Sequence, residues 1–340
     1  MKAVRFHESG GPKVLKYEDA PKPEIGPSDV LVRVRACALN RLDIWLRSGA
    51  YKAHLPHILG SEFSGDVAEV GEDVRGARVG DKVLIYPGLT DGTCQYCLAG
   101  EESICEKFGI IGSATDGGYA EFAKVPAENV FAIPTGITYD QAAAIAVVFL
   151  TAWHMLVTRA ELQAGERVLI HAVGSGIGSA AVQIAKLAGA EVFGTAGSDD
   201  KLAKAKELGA DHLINYAEKD FADEVSKLTG GEGVHVVFEH TGAKTFPGSL
   251  ASLTKNGRLV TCGATTGTEA TLDIRQLYSR QLRVIGAMLG TRRELAEILR
   301  LVGEGKLRPV IDRAMPLSEA SRAHELLTDR AQFGKIVLNP

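Results

Sequence analysis

Residues 167–178 read RVLIHAVGSGIG. Arg167 to Val173 is a continuous apolar run of strand length, and Ser179 to Leu187 has the spacing of a helix with one apolar face. Between them lie Gly174, Ser175, Gly176, Ile177 and Gly178. Glycines allow a tight reversal and let main-chain N–H groups approach an anion, and the helix that follows presents its positive end to it. With a strand before, a helix after and a second strand, EVFGTAG, at 191–197, the spacing predicts a pyrophosphate-binding turn. The alternative is an ordinary glycine-rich strand–helix turn.

The alternation continues outward from that turn. A helix is expected over Lys201 to Leu208, a strand at HLINY (212–216), a helix over Asp220 to Leu228, and strands at VHVVFEHTG (234–242), GRLVTCG (257–263) and LRVIGAML (282–289). Strand–helix alternation of this kind makes a doubly wound parallel sheet with right-handed crossovers, and ligands gather at the carboxyl ends of its strands. His240, after the fourth strand, and Gly263, closing the fifth, are therefore candidate cofactor contacts.

The first third differs. VLVRV at 30–34, the stretches 67–70 and 83–85, and the turn at Gly80-Asp81 describe short strands joined by reversals, a barrel-like all-β unit. The expected division is 1–129, completed by 288–340 with its helix Thr291 to Gly303 and final strand GKIVLN, and a second domain at 130–287. The apolar run Ala142 to Leu150 reads as one buried helix and is shorter than the roughly 20 residues a bilayer span needs. A formal net charge of -4 gives no reason to expect nucleic acid. The opening MKAVRFHESGG lacks the apolar core of a signal peptide, so a cytoplasmic, thiol-reducing setting is expected.

Of five cysteines, three cluster in Asp91-Gly-Thr-Cys94-Gln-Tyr-Cys97-Leu-Ala-Gly-Glu-Glu-Ser-Ile-Cys105. Three thiolates and a carboxylate at Asp91 are competent tetrahedral zinc ligands, and four protein ligands would make the site structural. The alternative is three free thiols. Cys37 and Cys262 are expected to be buried small apolar residues.

The cofactor's identity is read at the end of the second strand. An acid there would bind the 2′-hydroxyl of NAD; the position holds Ala196. Ser198 and Lys201 in the following turn can bond and neutralise a 2′-phosphate, and Tyr216 can add a donor or lie beside the adenosine. NADP(H) is therefore expected, with Asp199 and Asp200 weighing against it. Ser198 as a helix N-cap is the competing reading.

GDKV at 80–83, the cysteine lobe, AVGSGIG, TAGSDDKLAKAKELGAD (195–211) and the terminal FGKIVL are together similar to the medium-chain dehydrogenase/reductase superfamily over essentially the whole chain. The resemblance implies a GroES-like β-barrel catalytic domain beside a Rossmann domain, and a homodimer or homotetramer formed through the sixth strand. TAGSDDK, LINY and Asn40 look like the quinone oxidoreductase branch; the cysteine lobe looks like the zinc alcohol dehydrogenases, with Asp91 where that group has its first Cys. The family's catalytic zinc ligands fall here at Asn40, Ser61 and about Val147, with Glu62 retaining the adjacent acid.

Asn, Ser and Val do not make a zinc site. The resemblance therefore implies hydride transfer from NADPH to a small molecule that spreads its own charge, a quinone or conjugated enone. Asn40, Tyr51 and Ser61 are the candidate catalytic residues, with Asn40 as hydrogen-bond donor to the acceptor oxygen, Asp43 orienting Asn40, and Trp45 lining the pocket. His54 and His57 flank Pro56 with no third ligand at suitable spacing, and pocket-lining or exposed roles are expected. A zinc-type alcohol dehydrogenase and a non-enzymatic NADPH-binding protein are the alternatives.

Overall fold

The computed structural model describes all 340 residues, which divide into two compact units, Met1–Val148 with Thr291–Pro340, and Phe149–Gly290. The first is built on strand Asp29–Ala38, whose alternating Val30, Val32 and Val34 point into the core with Phe63, Tyr119 and Leu338. It pairs antiparallel with Glu62–Val70, Phe122–Pro126 and Lys335–Asn339, within a seven-stranded sheet completed by Lys82–Ile85, Val130–Ala132 and Ile311–Pro316. The last strand thus lies against Asp29–Ala38, Val337 opposite Ala38, which sets Lys335 beside Leu39 and Asn40. A small sheet, Lys16–Asp19, Lys2–Phe6 and His57–Ile58, carries His57.

The boundary falls later than 129/130. Val130–Ala132 pairs with Lys82–Ile85, and helix Tyr139–Ala142 is tied to the same sheet by Ser64 Oγ donating to Tyr139 O at 2.7 Å. The apolar run 142–150 is not one helix. Helix Tyr139–Ala142 stops, and another starts at Val148. The Val147 and Val148 N–H groups donate to Glu62 Oε1 at 2.7 and 3.3 Å, so a buried carboxylate caps the second helix where an uninterrupted helix would use its own carbonyls.

The second unit is a six-stranded parallel sheet. Numbered along the chain from Arg167–Ile170, its strands lie in the order third, second, first, fourth, fifth, sixth, the doubly wound arrangement expected. The inner strands are largely buried, and Leu169, Phe193, Val237 and Leu259 share one core cluster, whereas the edge strands are more exposed. The sixth strand is shorter than expected, Arg283–Gly286, and forms the sheet edge. No helix is long and apolar enough to cross a membrane.

Candidate functional site

In the first unit the three matched positions surround an ion pair. Lys335 Nζ lies 2.7 Å from Glu62 Oε2 and donates at 2.6 Å to both Asn40 Oδ1 and Leu39 O. All three protons of the ammonium therefore have acceptors. Asn40 Nδ2 donates to Glu62 Oε2 at 3.1 Å, and Glu62 Oε1 takes the two N–H groups described above. Asn40 is buried and its amide is engaged at both ends, so its expected role as a donor to an acceptor oxygen gives way to a place within the cluster. Ser61 Oγ, one residue from Glu62, is the buried polar atom here without a partner. A buried hydroxyl left unpaired costs roughly 1–3 kcal/mol, so Ser61 Oγ is the group of this cluster with unused hydrogen-bonding capacity. The donor set does not suit a catalytic zinc: Asn40 and Glu62 are bonded to a fixed ammonium, Ser61 is a neutral hydroxyl and Val147 offers no side-chain ligand.

A second buried chain supports this cluster. Asp43, in the first turn of helix Arg41–Ser48, accepts from Asn40 N at 2.7 Å and Gly60 N at 3.2 Å. It thereby holds the main chain of Asn40 and of the residue before Ser61. Gly60 has φ +102°, and a Cβ there would come within 2.6 Å of the Tyr119 ring, so only glycine fits. Tyr119 Oη bridges Asp43 Oδ2 at 3.4 Å and His324 Nε2 at 3.2 Å, and His324 Nδ1 accepts from Arg47 Nη1 at 3.2 Å. An arginine can only donate, so the neutral His324 carries its proton on Nε2. Burial raises the Asp43 carboxyl to about 6, against the hydrogen bonds it accepts, and lowers His324 to about 3, with the neighbouring Arg47 charge adding to the effect. Sequence reasoning missed Tyr119, His324 and Lys335; the terminal FGK motif was the only signal for any of them.

Tyr51 follows that helix and is half exposed, its ring edge-on to Trp45 at 5.5 Å. His54 and His57 do have a third neighbour, Asp116, brought in from a distant loop.

In the second unit the turn joins the first strand, Arg167–Ile170, to the helix that follows it. Ser175 caps helix Gly176–Leu187, its Oγ accepting from Gly178 N at 3.0 Å. A Cβ on Gly178 would meet Ala172 O at 2.4 Å, so the glycine permits the helix to approach the strand. Ala196 ends its strand buried, with no acceptor. Ser198 is the N-cap residue of helix Asp199–Glu207 by its extended backbone, as the competing reading has it, but its hydroxyl makes no capping bond. Lys201 lies in that helix's first turn, Asp199 Oδ1 accepts from Asn215 Nδ2 at 2.9 Å, and Tyr216 is half exposed beside Gly197. His240 Nε2 donates to His171 O at 2.8 Å, and Gly263 sits against His240 O. Cys37 is buried as expected; Cys262 is partly exposed.

The ligand atoms of Asp91, Cys94, Cys97 and Cys105 lie within 4.8 Å of one another. Cys94 and Cys97 Sγ are 3.6 Å apart, close to the ~3.8 Å edge of a tetrahedron with zinc–sulfur bonds of about 2.3 Å. Asp91 Oδ1 accepts from Thr93 N and Cys94 N at 2.9 Å, and these bonds hold its carboxyl well below the usual range. The donor set fits a structural zinc.

A doubly wound parallel sheet and a β unit carrying a charged internal cluster are the two parts that comparison with known proteins identifies. Residues 26–135 match the alcohol dehydrogenase GroES-like domain, and residues 176–304 match the zinc-binding dehydrogenase family. The chain is 34% identical to an NAD-dependent alcohol dehydrogenase of Sulfolobus acidocaldarius, with 99% of each covered. It is 30% identical to a quinone oxidoreductase of Rattus norvegicus (99% of this chain, 97% of the other). It is 32% identical to an acryloyl-coenzyme A reductase of Sulfurisphaera tokodaii (97% and 98%). A crystal structure of an NAD-dependent alcohol dehydrogenase superposes with a TM-score of 0.97 at 45% identity over the whole of both chains. The chain belongs to the medium-chain dehydrogenase/reductase superfamily and is an NAD(P)H-dependent oxidoreductase.

Proposed function

We propose that the protein is an NADPH-dependent reductase of conjugated enones or quinones that works without a catalytic zinc. The observation that carries this reading is the Lys335–Glu62–Asn40 cluster: the positive charge of the centre is an ammonium whose three donors are already used. Such a centre offers no Lewis acid to hold an alkoxide, so a saturated alcohol is a poor substrate. A conjugated acceptor delocalises the charge that hydride addition creates. The name of the acryloyl-coenzyme A reductase relative specifies a conjugated thioester, which is consistent with this class.

Bound NADPH supplies the hydride. The Ser61 hydroxyl donates to the acceptor's carbonyl oxygen, where negative charge collects as the carbon–carbon π bond breaks. Tyr51 supplies the proton that completes the reduction. Asn40 is a positioning residue that keeps Lys335 and Glu62 in place. For the cofactor, the Gly174–Gly178 turn binds the pyrophosphate, Ser198 and Lys201 meet the 2′-phosphate, Tyr216 borders the adenosine, and His240 and Gly263 flank the nicotinamide end. The uncommitted Ser198 hydroxyl and the absence of an acid at Ala196 support NADPH over NADH.

One zinc held by Asp91, Cys94, Cys97 and Cys105 fixes the lobe, which requires reduced thiols and so suits the cytoplasm. The exposed edge strand Arg283–Gly286, with Val284 outward, pairs with a second copy to make at least a dimer. An acceptor screen with NADPH, run with zinc quantification on wild type and Cys105→Ser, tests the reading. Enone or quinone turnover with one zinc lost in the variant supports it; NADPH binding with no turnover of any acceptor contradicts it.

A further inference from the structure

We propose that His54, His57 and Asp116 form a zinc site with an open fourth position. The site shares no residue with the cysteine lobe or with the Lys335 cluster.

One ligand atom from each residue makes a nearly regular triangle. His57 Nδ1 is 3.3 Å from His54 Nε2 and 3.5 Å from Asp116 Oδ1, and His54 Nε2 is 3.7 Å from Asp116 Oδ1. Zinc–nitrogen and zinc–oxygen bonds of about 2.0–2.2 Å give a tetrahedral edge of ~3.3–3.6 Å. Octahedral cis ligands at similar bond lengths would be only about 3.0 Å apart, so the triangle matches one face of a tetrahedron.

The ring orientation is a second, independent observation. His57 Nε2 lies 3.0 Å from Gly112 O. A carbonyl only accepts, so Nε2 carries the proton and the neutral ring turns the bare lone pair of Nδ1 toward the other two ligand atoms. Metal-binding histidines are oriented in this way, with the second ring N–H given to a carbonyl or carboxylate. Asp116 Oδ1 is itself positioned by Ile58 N at 3.0 Å, the residue after His57.

The framework is rigid where it needs to be. His57 is fully buried, on a strand paired with Lys2–Phe6 and with the Phe6 ring edge-on at 5.8 Å. Gly117 N donates to Ile58 O at 2.9 Å and locks the Asp116 loop onto the same strand. His54 and Asp116 are about half exposed, so the fourth corner of the tetrahedron opens to solvent and takes water or an external ligand. Without an ion, a single proton on His54 Nε2 would have to serve both His57 Nδ1 and the carboxylate at 3.3 and 3.7 Å, long for either bond.

Zinc uptake by the full chain, measured by competition with a chromogenic chelator, tests the site. Wild type is expected to bind one more zinc per chain than His54→Ala, and Asp116→Asn to bind it at least about tenfold more weakly. Cobalt(II) filling this site should give visible bands that lack thiolate charge transfer and vanish in His54→Ala. The exposed position of His54 keeps that variant folded, and an unchanged melting temperature checks it. Equal zinc uptake and affinity in wild type, His54→Ala and Asp116→Asn would overturn the proposal. So would an additional zinc that survives His54→Ala but is lost in Glu62→Gln.

Discussion

Lys335 Nζ and Glu62 Oε2 are 2.7 Å apart, with side chains 4% and 0% exposed, although 273 positions separate them in the chain (335 − 62 = 273). Two charges removed from water are tolerable only together. Lys335→Met leaves the Glu62 carboxylate buried against neutral neighbours and should lower stability by about 3–5 kcal/mol. Lys335→Met combined with Glu62→Leu should recover a large part of that loss. Chemical denaturation of the three proteins measures both effects; additive losses in the double variant would contradict the pairing.

Ser61→Ala removes an unpartnered hydroxyl, so it should leave the melting temperature unchanged or raised. If that hydroxyl meets the acceptor oxygen in the transition state, kcat falls by roughly 10²-fold with little change in KM. Steady-state kinetics with a soluble enone separates the two parameters.

The pH dependence of stability should change in opposite senses at the two ends of the Asp43–Tyr119–His324 chain. His324, lowered to about 3, leaves the unfolded chain binding the extra proton, so its contribution is full above pH ~6.5 and is lost as pH falls toward 3. Asp43, raised to about 6, binds its proton more tightly when folded, so it favours the folded state below pH ~4 and loses that contribution as pH rises to 6. Between pH 4 and 6 the two nearly cancel. Asp43→Asn should therefore steepen the rise of stability with pH in that window, and His324→Gln should flatten or invert it, each by up to about 1.4 kcal/mol per pH unit. Denaturation midpoints at pH 4, 5 and 6 read the slopes.

Cofactor choice is tested at Ser198 and Lys201. Replacing either by Ala should raise the KM for NADPH by roughly tenfold, the value of one charge-assisted hydrogen bond, and leave that for NADH unchanged. Ala196→Asp should move the preference toward NADH. Equal effects on both cofactors would assign these residues to helix stability instead.

The nucleotide unit was legible because its determinants are local. The turn at Gly174–Gly178 lies between a strand and a helix that announce themselves by period, and the close approach that only Gly178 permits is written in the residue itself. The cysteine lobe was legible for the same reason, within fifteen residues of chain (Asp91 to Cys105). Asn40, Ser61 and Glu62 were found, but the partner that redefines them was not. Lys335 reaches Asn40 only because the last strand pairs with Asp29–Ala38, and no local pattern carries that register. Asp116 joins His54 and His57 by a similar long-range pairing, so spacing along the chain could not reveal a third ligand. The break in the run 142–150 was hidden too, since a buried carboxylate from another strand interrupts it.

The most direct test compares a conjugated ketone with its saturated alcohol. NADPH should reduce but-3-en-2-one with saturable kinetics that a zinc chelator does not inhibit, while butan-2-ol with NADP+ should give no measurable turnover. Chelator-sensitive oxidation of butan-2-ol, at a rate matching or exceeding enone reduction, would contradict it.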